Sequence, residues 1–386
     1  MEAPMCIMGT PTAIPTDALV LVTNGTQPIQ LQVIKQLLQR GCRVRTTTDS
    51  TEAGYWLDNQ FQMDKHSGRF EHVKLVPDPN SDKSIYQEVV KDVFAIVHTP
   101  TLISLTSPVK VVWTMAAESV LSMLDAAQAE KSVQALVYTS SILAVTPLMP
   151  DGERLVTENS WNAKDAILAL SGQHDEHHVR SSALTYAEQA LWQWVNKHSP
   201  AFKVNVVCPA NLIGQNYAPE HTSDWKNWIF ELYQTGKARE AIPGAGPTQA
   251  REFSASPGFL YPNELLTPEG ADWYVDVADV ALLHIAAIFD SEIENDRLQA
   301  WGCHRDWNDA IAVLRNLGPG NPDVTQPFFI GHDGVQRGRL YTRFARVSEI
   351  LKRWNGAGWK AFESTIAESV ETFQHMGNHD MGGIKG

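Results

Sequence analysis

Short runs of apolar and β-branched residues recur along the first half of the chain, and longer stretches with apolar residues at helical spacing separate them. The runs predict strands at 18–23, 43–48, 70–76, 93–98, 135–140 and 202–207. The stretches between them predict helices at 29–40, 52–60, 83–91, 113–129 and 181–198. Because strands that alternate with helices are typical of βαβ units, the pattern indicates an α/β fold with a doubly wound parallel sheet.

The pattern changes after Pro209, where a small C-terminal substrate-binding lobe is expected. Residues 237–270 contain many glycines and prolines and little periodicity, so we interpret them as a lid over a pocket. Further helices are predicted at 222–236, 279–289, 306–316, 345–353 and 359–376. The predicted domains are an N-terminal arm at 1–17, a core at 18–215, a substrate lobe and lid at 216–376 interleaved with late core elements, and a disordered tail at 377–386.

Composition and charge exclude several classes of partner. The chain has 386 residues, of which 43% are hydrophobic and 19% charged, as in ordinary packed proteins. Its net charge of −13 argues against nucleic acid and anionic membranes, because both require a basic surface. No apolar run approaches the roughly 18 residues of a membrane span, and no secretory signal is evident, so a cytoplasmic location is expected. The four cysteines form no C-x-x-C pair, and no metal site is predicted.

The segment from Val179 to Trp192 reads Val-Arg-Ser-Ser-Ala-Leu-Thr-Tyr-Ala-Glu-Gln-Ala-Leu-Trp. It resembles the active-site helix of the extended short-chain dehydrogenases/reductases, Val-Tyr-x-x-Ser-Lys-Thr-x-Ala-Glu-x-Ala-Leu-Trp. Arg180 stands at the place of the family's tyrosine, and Leu184 stands at the place of its lysine. The resemblance therefore implies a Rossmann-like fold in a chain that lacks the family's usual proton donor.

Five further segments resemble landmarks of this family in the same order, closest to its fungal dihydroflavonol-reductase-like, NAD-dependent epimerase/dehydratase branch. They are Arg69–Asp78, Val97–Pro100, Val137–Ser141, Val204–Gly214 and Trp273–His284. By this resemblance Ser141 is the catalytic serine and Asp78 lies near an adenine. A homodimer is a further expectation, since four-helix dimer interfaces are common in this group.

The turn between the first strand and the first helix is the place of the family's dinucleotide fingerprint, Thr-Gly-x-x-Gly-x-x-Gly. Asn24, Gln27 and Gln30 occupy the three glycine places, and Gly25 follows the first of them. Glycines there permit a tight turn and a close approach of a pyrophosphate, so these side chains are expected to fill part of the phosphate site. Asn24 can still adopt a positive φ. Asp49, at the end of the second strand, suits a ribose-binding acid that would disfavour NADPH, although a simple strand-end aspartate is the alternative.

Ser141 and Arg180 are the candidate catalytic pair, because both are expected to border the pocket beyond the carboxyl ends of the strands. Ser141 can donate a hydrogen bond to a carbonyl oxygen, and Arg180 can stabilise an oxyanion, but arginine is a poor proton donor. His177 and His178 lie on a predicted loop before the helix and are candidate acid–base groups, since histidine titrates near neutral pH. Solvated loop residues are the alternative for both histidines.

A second set of residues is predicted to contact the substrate. His98 and Thr139 lie at strand ends that border the pocket. Tyr217, Trp225 and Phe253 lie in a wider lid region, 217–272, where aromatic side chains can line a cavity for a bulky apolar ligand. Simple packing of the lid is the alternative for these aromatic residues.

Together these features predict a redox-neutral enzyme of secondary metabolism that isomerises, cyclises or performs a cycloaddition on a bulky apolar small molecule. No cofactor is expected in this interpretation, because the fingerprint glycines and the proton donor are both absent. The first alternative is an NAD- or NADP-dependent ketone reductase with an unusual proton donor. The second is a non-catalytic ligand sensor of the NmrA-like kind.

Overall fold

A computed structural model of the protein provides its fold. The structure describes residues 14–15, 17–76, 83–100, 105, 107–147, 154–172, 176–215, 272–305, 307–317, 340–342 and 345–380. The predicted lid at 237–270 and the predicted helix at 222–236 lie outside the described residues.

Twelve strands are present in the described part of the chain. They are β1 Leu19–Val22, β2 Arg43–Thr48, β3 Phe70–Lys74, β4 Ala95–His98, β5 Ala135–Thr139, β6 Arg154–Val156, β7 Lys203–Pro209, β8 Asn211–Ile213, β9 Asp272–Asp276, β10 Arg297–Ala300, β11 Cys303–Arg305 and β12 Leu340–Thr342. Seven of them form one parallel sheet in the order β3-β2-β1-β4-β5-β7-β10. The predicted doubly wound, Rossmann-like parallel sheet is therefore confirmed.

Helices cover both faces of this sheet. They are α1 Pro28–Gln39, α2 Thr51–Gln60, α3 Gln62–His66, α4 Val109–Ala129, α5 Ala163–Leu170, α6 Glu176–His198, α7 Val277–Phe289, α8 Trp307–Asn316, α9 Ala345–Asn355 and α10 Phe362–Asp380. Helix α1 packs against α7, and α4 packs against α6. Every residue of β1, β4 and β5 is buried, as expected for strands with a helical layer on each side.

The predicted elements agree with the structure except at a few positions. All six predicted strands are present, but β10 was missed because Arg-Leu-Gln-Ala has no apolar run. The predicted helix at 83–91 is only a 3₁₀ turn, Lys83–Tyr86. Helix α10 continues through Asp380, past its predicted end at 376.

The later part of the chain returns to the core. Strand β10 adds to the main sheet beside β7, and β9 pairs with β8 and β11 in a separate three-stranded sheet. The described helices include none with the length and apolarity needed to cross a bilayer. The described residues also contain no group of three or more His, Cys, Asp or Glu side chains that could hold a metal ion.

Candidate functional site

Residues 23–30, which we call the cofactor turn, connect β1 to the first turn of α1. Asn24 has a φ of 56°, so the prediction that it adopts a positive φ is confirmed. The backbone N–H of Gly25 donates to the carbonyl oxygen of Thr47 at 3.0 Å. A Cβ at residue 25 would lie 2.1 Å from Thr46 Oγ1, so only glycine fits between this turn and β2.

We expect Gly25→Ala to destabilise the protein by roughly 1–3 kcal/mol, the usual range for overpacking. The Thr46 hydroxyl cannot move aside freely, because it donates to the carbonyl oxygen of Val22 at 2.7 Å. Urea denaturation of the single variants and of Gly25→Ala/Thr46→Ala measures the effect. The double variant should recover part of the loss, and equal stability of Gly25→Ala and the wild type would contradict the packing argument.

The side chain of Gln30 does not lie in the phosphate site. It is 1% exposed, and its Nε2 donates to the hydroxyl of Thr99, which follows β4. The expectation that Gln30 fills the phosphate site is therefore wrong, because the first turn of α1 directs this side chain into the interior. Gln27 is the half-buried N-cap residue of α1, and its side chain makes no capping hydrogen bond.

The N-terminus of α1 is suited to an anion. Proline lies at its start, and no acidic side chain occupies its first turn. Backbone N–H groups at a helix N-terminus have no partner within the helix, and the helix dipole favours negative charge there. A pyrophosphate can therefore be received at this end of α1.

Asp49 follows β2 and is exposed at the same edge of the sheet. Ser50, its neighbour, caps α2 by accepting a hydrogen bond from the N–H of Ala53 at 3.1 Å. The assignment of Asp49 to a ribose stays a prediction. Asp78 lies outside the described residues.

Ser141 lies two residues beyond β5 and is fully buried. Its Oγ accepts a hydrogen bond from the N–H of Leu143 at 3.1 Å and so caps the 3₁₀ turn Ile142–Ala144. This turn packs against α6, the helix that carries Arg180 and Leu184. Arg180 is 6% exposed, so a charged group lies largely buried at the place of the family's tyrosine.

His177 and His178 belong to the first turn of α6, so the prediction that they lie on a loop is wrong. Positions 177, 181 and 184 share one face of the helix, because residues three and four apart are neighbours. His177 Nε2 lies 3.5 Å from Asp165 Oδ2 and 3.3 Å from Ser181 Oγ. The other ring nitrogen of His177, Nδ1, is buried without a hydrogen-bond partner among the described residues.

Asp165 is a buried carboxylate in α5 that holds this imidazole. Burial alone would raise its pKa, but hydrogen bonds from His177 and Asn162 outweigh burial and lower it. Asp165 is therefore ionised at neutral pH and faces His177 Nε2 as an acceptor. This arrangement requires a hydrogen on Nε2.

Hydrogen bonds connect Asp165 to the turn that contains Ser141. Asn162 Nδ2 donates to Asp165 Oδ2 at 2.7 Å and to the carbonyl oxygen of Leu143 at 2.8 Å. Leu143 in turn donates its N–H to Ser141 Oγ. The structure therefore connects Ser141 and His177 through one buried network.

His98 and Thr139 are buried in the interior. They are 1% and 0% exposed. His98 Nδ1 lies 3.2 Å from Thr23 Oγ1, and burial lowers the pKa of His98 to about 3, so this ring is neutral. Their predicted contact with substrate stays a prediction, and the predicted contacts of Tyr217, Trp225 and Phe253 lie outside the described residues.

Asp165 and Thr99 were not among the predicted site residues. Asn162-x-x-Asp165 has the spacing of an N-cap motif, and Asn162 Oδ1 does accept from the Asp165 N–H at 3.2 Å. This motif predicts the start of α5, but it does not indicate that Asp165 contacts His177 on α6. Tyr186, six residues after Arg180 on the same helix, is 43% exposed and stacks on Trp113 with their ring centroids 5.3 Å apart.

Comparison with known proteins finds no family model that matches the chain, but it does find sequence relatives. The NAD-dependent epimerase/dehydratase terH of Aspergillus terreus is 29% identical over 368 residues, which cover 93% of this chain and 98% of that protein. Aldehyde reductase 2 of Sporidiobolus salmonicolor is 28% identical over 92% of this chain and 96% of that protein. The relatives support an enzyme of the oxidoreductase or epimerase type.

Solved structures share the fold. Yeast methylglyoxal/isovaleraldehyde reductase Gre2, crystallised with NADPH, aligns with a TM-score of 0.70 and 19% identity over 93% of this chain and 99% of that chain. Gre2 of Candida albicans, also with NADPH, aligns with a TM-score of 0.68 and 18% identity over 93% of this chain and 99% of that chain. The expectation that the chain has no cofactor is therefore wrong, because neighbours of this fold hold NADPH and a sequence relative is named NAD-dependent.

The absence of the three fingerprint glycines led to the expectation that the cofactor turn does not bind a dinucleotide. The structure shows how the turn forms without them, through the positive φ of Asn24 and the inward side chain of Gln30. Relatives, fold and the order of the sequence landmarks agree. The predicted resemblance to the extended short-chain dehydrogenases/reductases, closest to their fungal NAD-dependent epimerase/dehydratase branch, is thereby confirmed.

Proposed function

We propose that the protein is a nicotinamide-dependent carbonyl reductase that prefers NADH and uses His177 as its proton donor. The proposal rests on the buried Asp165–His177 pair, which the hydrogen-bond network connects to Ser141. The names of the relatives, which include aldehyde reductase 2 and ketoreductases, support a reductase. They give no support to the cyclisation or cycloaddition that the sequence suggested.

The residues of the cofactor turn fit a dinucleotide. The turn at Asn24 and Gly25 leads to a helix N-terminus with no acidic side chain, which suits a pyrophosphate. Asp49 suits the two hydroxyls of an adenosine ribose. When bound, the reduced nicotinamide supplies the hydride that the carbonyl carbon accepts.

His177 can deliver the proton that the carbonyl oxygen needs. Asp165 accepts from Nε2 and stabilises the protonated imidazole, while Nδ1 carries the proton that is transferred. The oxygen becomes the hydroxyl of the product alcohol, and His177 regains a proton from water. In this scheme one hydride and one proton reduce one carbonyl group.

Ser141 and Arg180 bind the same carbonyl oxygen in this proposal. Negative charge grows on that oxygen as the hydride arrives, and a buried guanidinium stabilises it more strongly than it would in water. Ser141 can donate its hydroxyl hydrogen while its oxygen still accepts from Leu143. In this proposal Arg180 stabilises the charge on the oxygen in place of the family's tyrosine, and His177 donates the proton in its place.

The test is consumption of NADH, followed by its absorbance, with a panel of aldehydes and ketones that ranges from small to bulky aromatic compounds. We expect NADH to bind and to be oxidised with formation of the alcohol. Failure of NADH and NADPH to bind by calorimetry would overturn the proposal. Conversion of a substrate without net consumption of NADH would instead support an epimerase or dehydratase reaction, as in the name of the Aspergillus terreus relative.

Asp49 gives the proposal a second measurable consequence. We expect the wild type to bind NADH more tightly than NADPH, because a 2′-phosphate would lie beside the exposed carboxylate. Asp49→Arg should shift the ratio of the two affinities towards NADPH by about 10- to 100-fold. Asp49→Asn, which removes the charge but keeps the size, should shift it less, and an unchanged ratio in both variants would contradict the assignment of Asp49 to the ribose.

A further inference from the structure

Thr99 binds three residues of the cofactor turn with its three polar groups. Its backbone N–H donates to Thr23 Oγ1 at 3.0 Å. Its carbonyl oxygen accepts from Asn24 Nδ2 at 3.0 Å. Its hydroxyl accepts from Gln30 Nε2. One residue at the end of β4 therefore holds the start and the end of the turn, including two positions where the family's fingerprint has glycine.

The hydroxyl of Thr99 also continues into a chain of hydrogen bonds whose direction can be deduced. His284 Nδ1 lies 2.8 Å from the carbonyl oxygen of Val280, which can only accept, so Nδ1 carries the hydrogen. Burial lowers the pKa of His284 to about 4, so at neutral pH its Nε2 is an acceptor. Thr139 must therefore donate to His284 Nε2 at 2.9 Å, and Thr99 must donate to Thr139 at 3.0 Å.

This direction assigns both capacities of the Thr99 hydroxyl. It donates its hydrogen to Thr139 and accepts from the carboxamide of Gln30. Thr99 is 3% exposed, and Gln30, Thr139 and His284 are each 1% exposed or less. Water therefore cannot easily replace a hydrogen bond that one of them loses. A buried donor without a partner is unfavourable, so these bonds favour the ordered turn over its alternatives.

We propose that Thr99 is a positioning residue that holds the cofactor turn in the shape that receives the pyrophosphate of the dinucleotide. Glycine fingerprints fit the phosphate closely because glycine has no side chain. In this turn the side chains of Asn24 and Gln30 instead bind Thr99. A turn already ordered before binding loses less conformational entropy when the ligand arrives. This inference rests on the proposed function only for the identity of the ligand.

The test compares Thr99→Val, which has no hydroxyl, with Thr99→Ser, which keeps it. We expect the valine variant to bind NADH at least about tenfold more weakly, a difference of roughly 1.4 kcal/mol. Its KM for NADH should rise similarly, with kcat and the KM for the carbonyl substrate within about twofold of the wild type. The serine variant should bind NADH within about threefold of the wild type. Gln30→Met, which removes the donor from the other side of the bond, should reproduce the valine effect without adding to it in the double variant.

Hydrogen exchange of the protein without nucleotide separates this inference from the proposed function. We expect amides of residues 23–31 to exchange at least about tenfold faster in Thr99→Val, while amides of α7 stay unchanged. If the wild type binds no nucleotide, the proposed function fails, and the exchange rates still decide whether Thr99 holds the turn. Unchanged exchange of residues 23–31 in Thr99→Val would overturn the role of Thr99. If the wild type binds NADH, an equal NADH affinity of Thr99→Val would overturn it as well. If Thr99→Val does not fold, Gln30→Met supplies the same two measurements.

Discussion

Replacing His177 with alanine is expected to lower kcat for carbonyl reduction by roughly 10²- to 10⁴-fold, the usual contribution of a positioned general acid. The affinity for NADH should stay within about twofold, because His177 lies on α6 and not in the cofactor turn. The side chain of His177 is 10% exposed, and the carboxylate of Asp165 fixes its Nε2, so water cannot easily take its place. Steady-state rates with a saturating aldehyde, together with calorimetric titration of NADH, give both quantities.

Asp165→Asn tests the role of the carboxylate separately from that of the imidazole. Asparagine keeps the size and one acceptor oxygen but removes the negative charge that stabilises protonated His177. Because the carboxylate also fixes the imidazole through Nε2, kcat should fall in this variant while the affinity for NADH stays close to that of the wild type. A purely structural role of Asp165 would lower stability without this selective loss of kcat, so the comparison of kcat with the NADH affinity distinguishes the two roles.

His198→Ala provides a matched control on the same helix. His198 lies in the last turn of α6, where it packs on Trp194 and its Nδ1 contacts the carbonyl oxygen of Trp194 at 2.9 Å. Its removal should leave kcat within about twofold. Normal activity of His177→Ala together with an inactive Arg180→Met would exclude His177 as the donor and direct the search to water held by Arg180.

The fold could be predicted because each buried strand has its own apolar run in the sequence and these runs recur along the chain. Runs such as Leu19–Val22 and Ala135–Thr139 are buried on both faces, and such strands are apolar along their whole length. Strand β10 lacks this signal, since Arg297 serves an ion pair and Gln299 interrupts the apolar run. It joins the sheet through its position beside β7 and not through its own composition.

The candidate site was predicted less well, because its chemistry depends on directions and on packing between distant segments. The sequence pattern puts Gln30 at a fingerprint position, but the direction of its side chain depends on a partner 69 residues away. The pairing of His177 with Asp165 depends on how α5 packs against α6. Ser141 and Arg180 were found because the resemblance fixes their positions, whereas a role in catalysis for either one stays a prediction.

Glu188→Gln is expected to destabilise the protein by about 3–5 kcal/mol, the usual cost of breaking a buried ion pair by removing one charge. The carboxylate of Glu188 is 0% exposed and accepts from Arg297 Nε at 2.5 Å. It also accepts from Ser140 Oγ at 2.5 Å, so one side chain of α6 binds both β10 and the residue before Ser141. Its neutralisation would leave the guanidinium of Arg297, 7% exposed, without a counter-charge.

The loss of the Glu188–Arg297 ion pair should also affect the candidate site, because Arg297 contacts the segment that precedes Asn162. Its Nη1 donates to the carbonyl oxygens of Glu158 and Ser160, and its guanidinium lies 3.9 Å above the centre of the Trp161 ring. These residues lead directly to Asn162, which connects Ser141 to Asp165. Loss of the ion pair should therefore lower kcat as well as the urea midpoint of unfolding.

Glu188→Met/Arg297→Met is the decisive comparison for this ion pair. Two apolar side chains of similar length leave no buried charge, so the double variant should be more stable than Glu188→Gln by about 2 kcal/mol or more. Its kcat should nevertheless stay below that of the wild type, because the segment 158–161 has lost the donor that holds its carbonyl groups. Recovery of both stability and kcat would show that the pair serves only the core, whereas recovery of stability alone would assign to Arg297 the placement of Asn162 and, through it, of the Asp165–His177 pair.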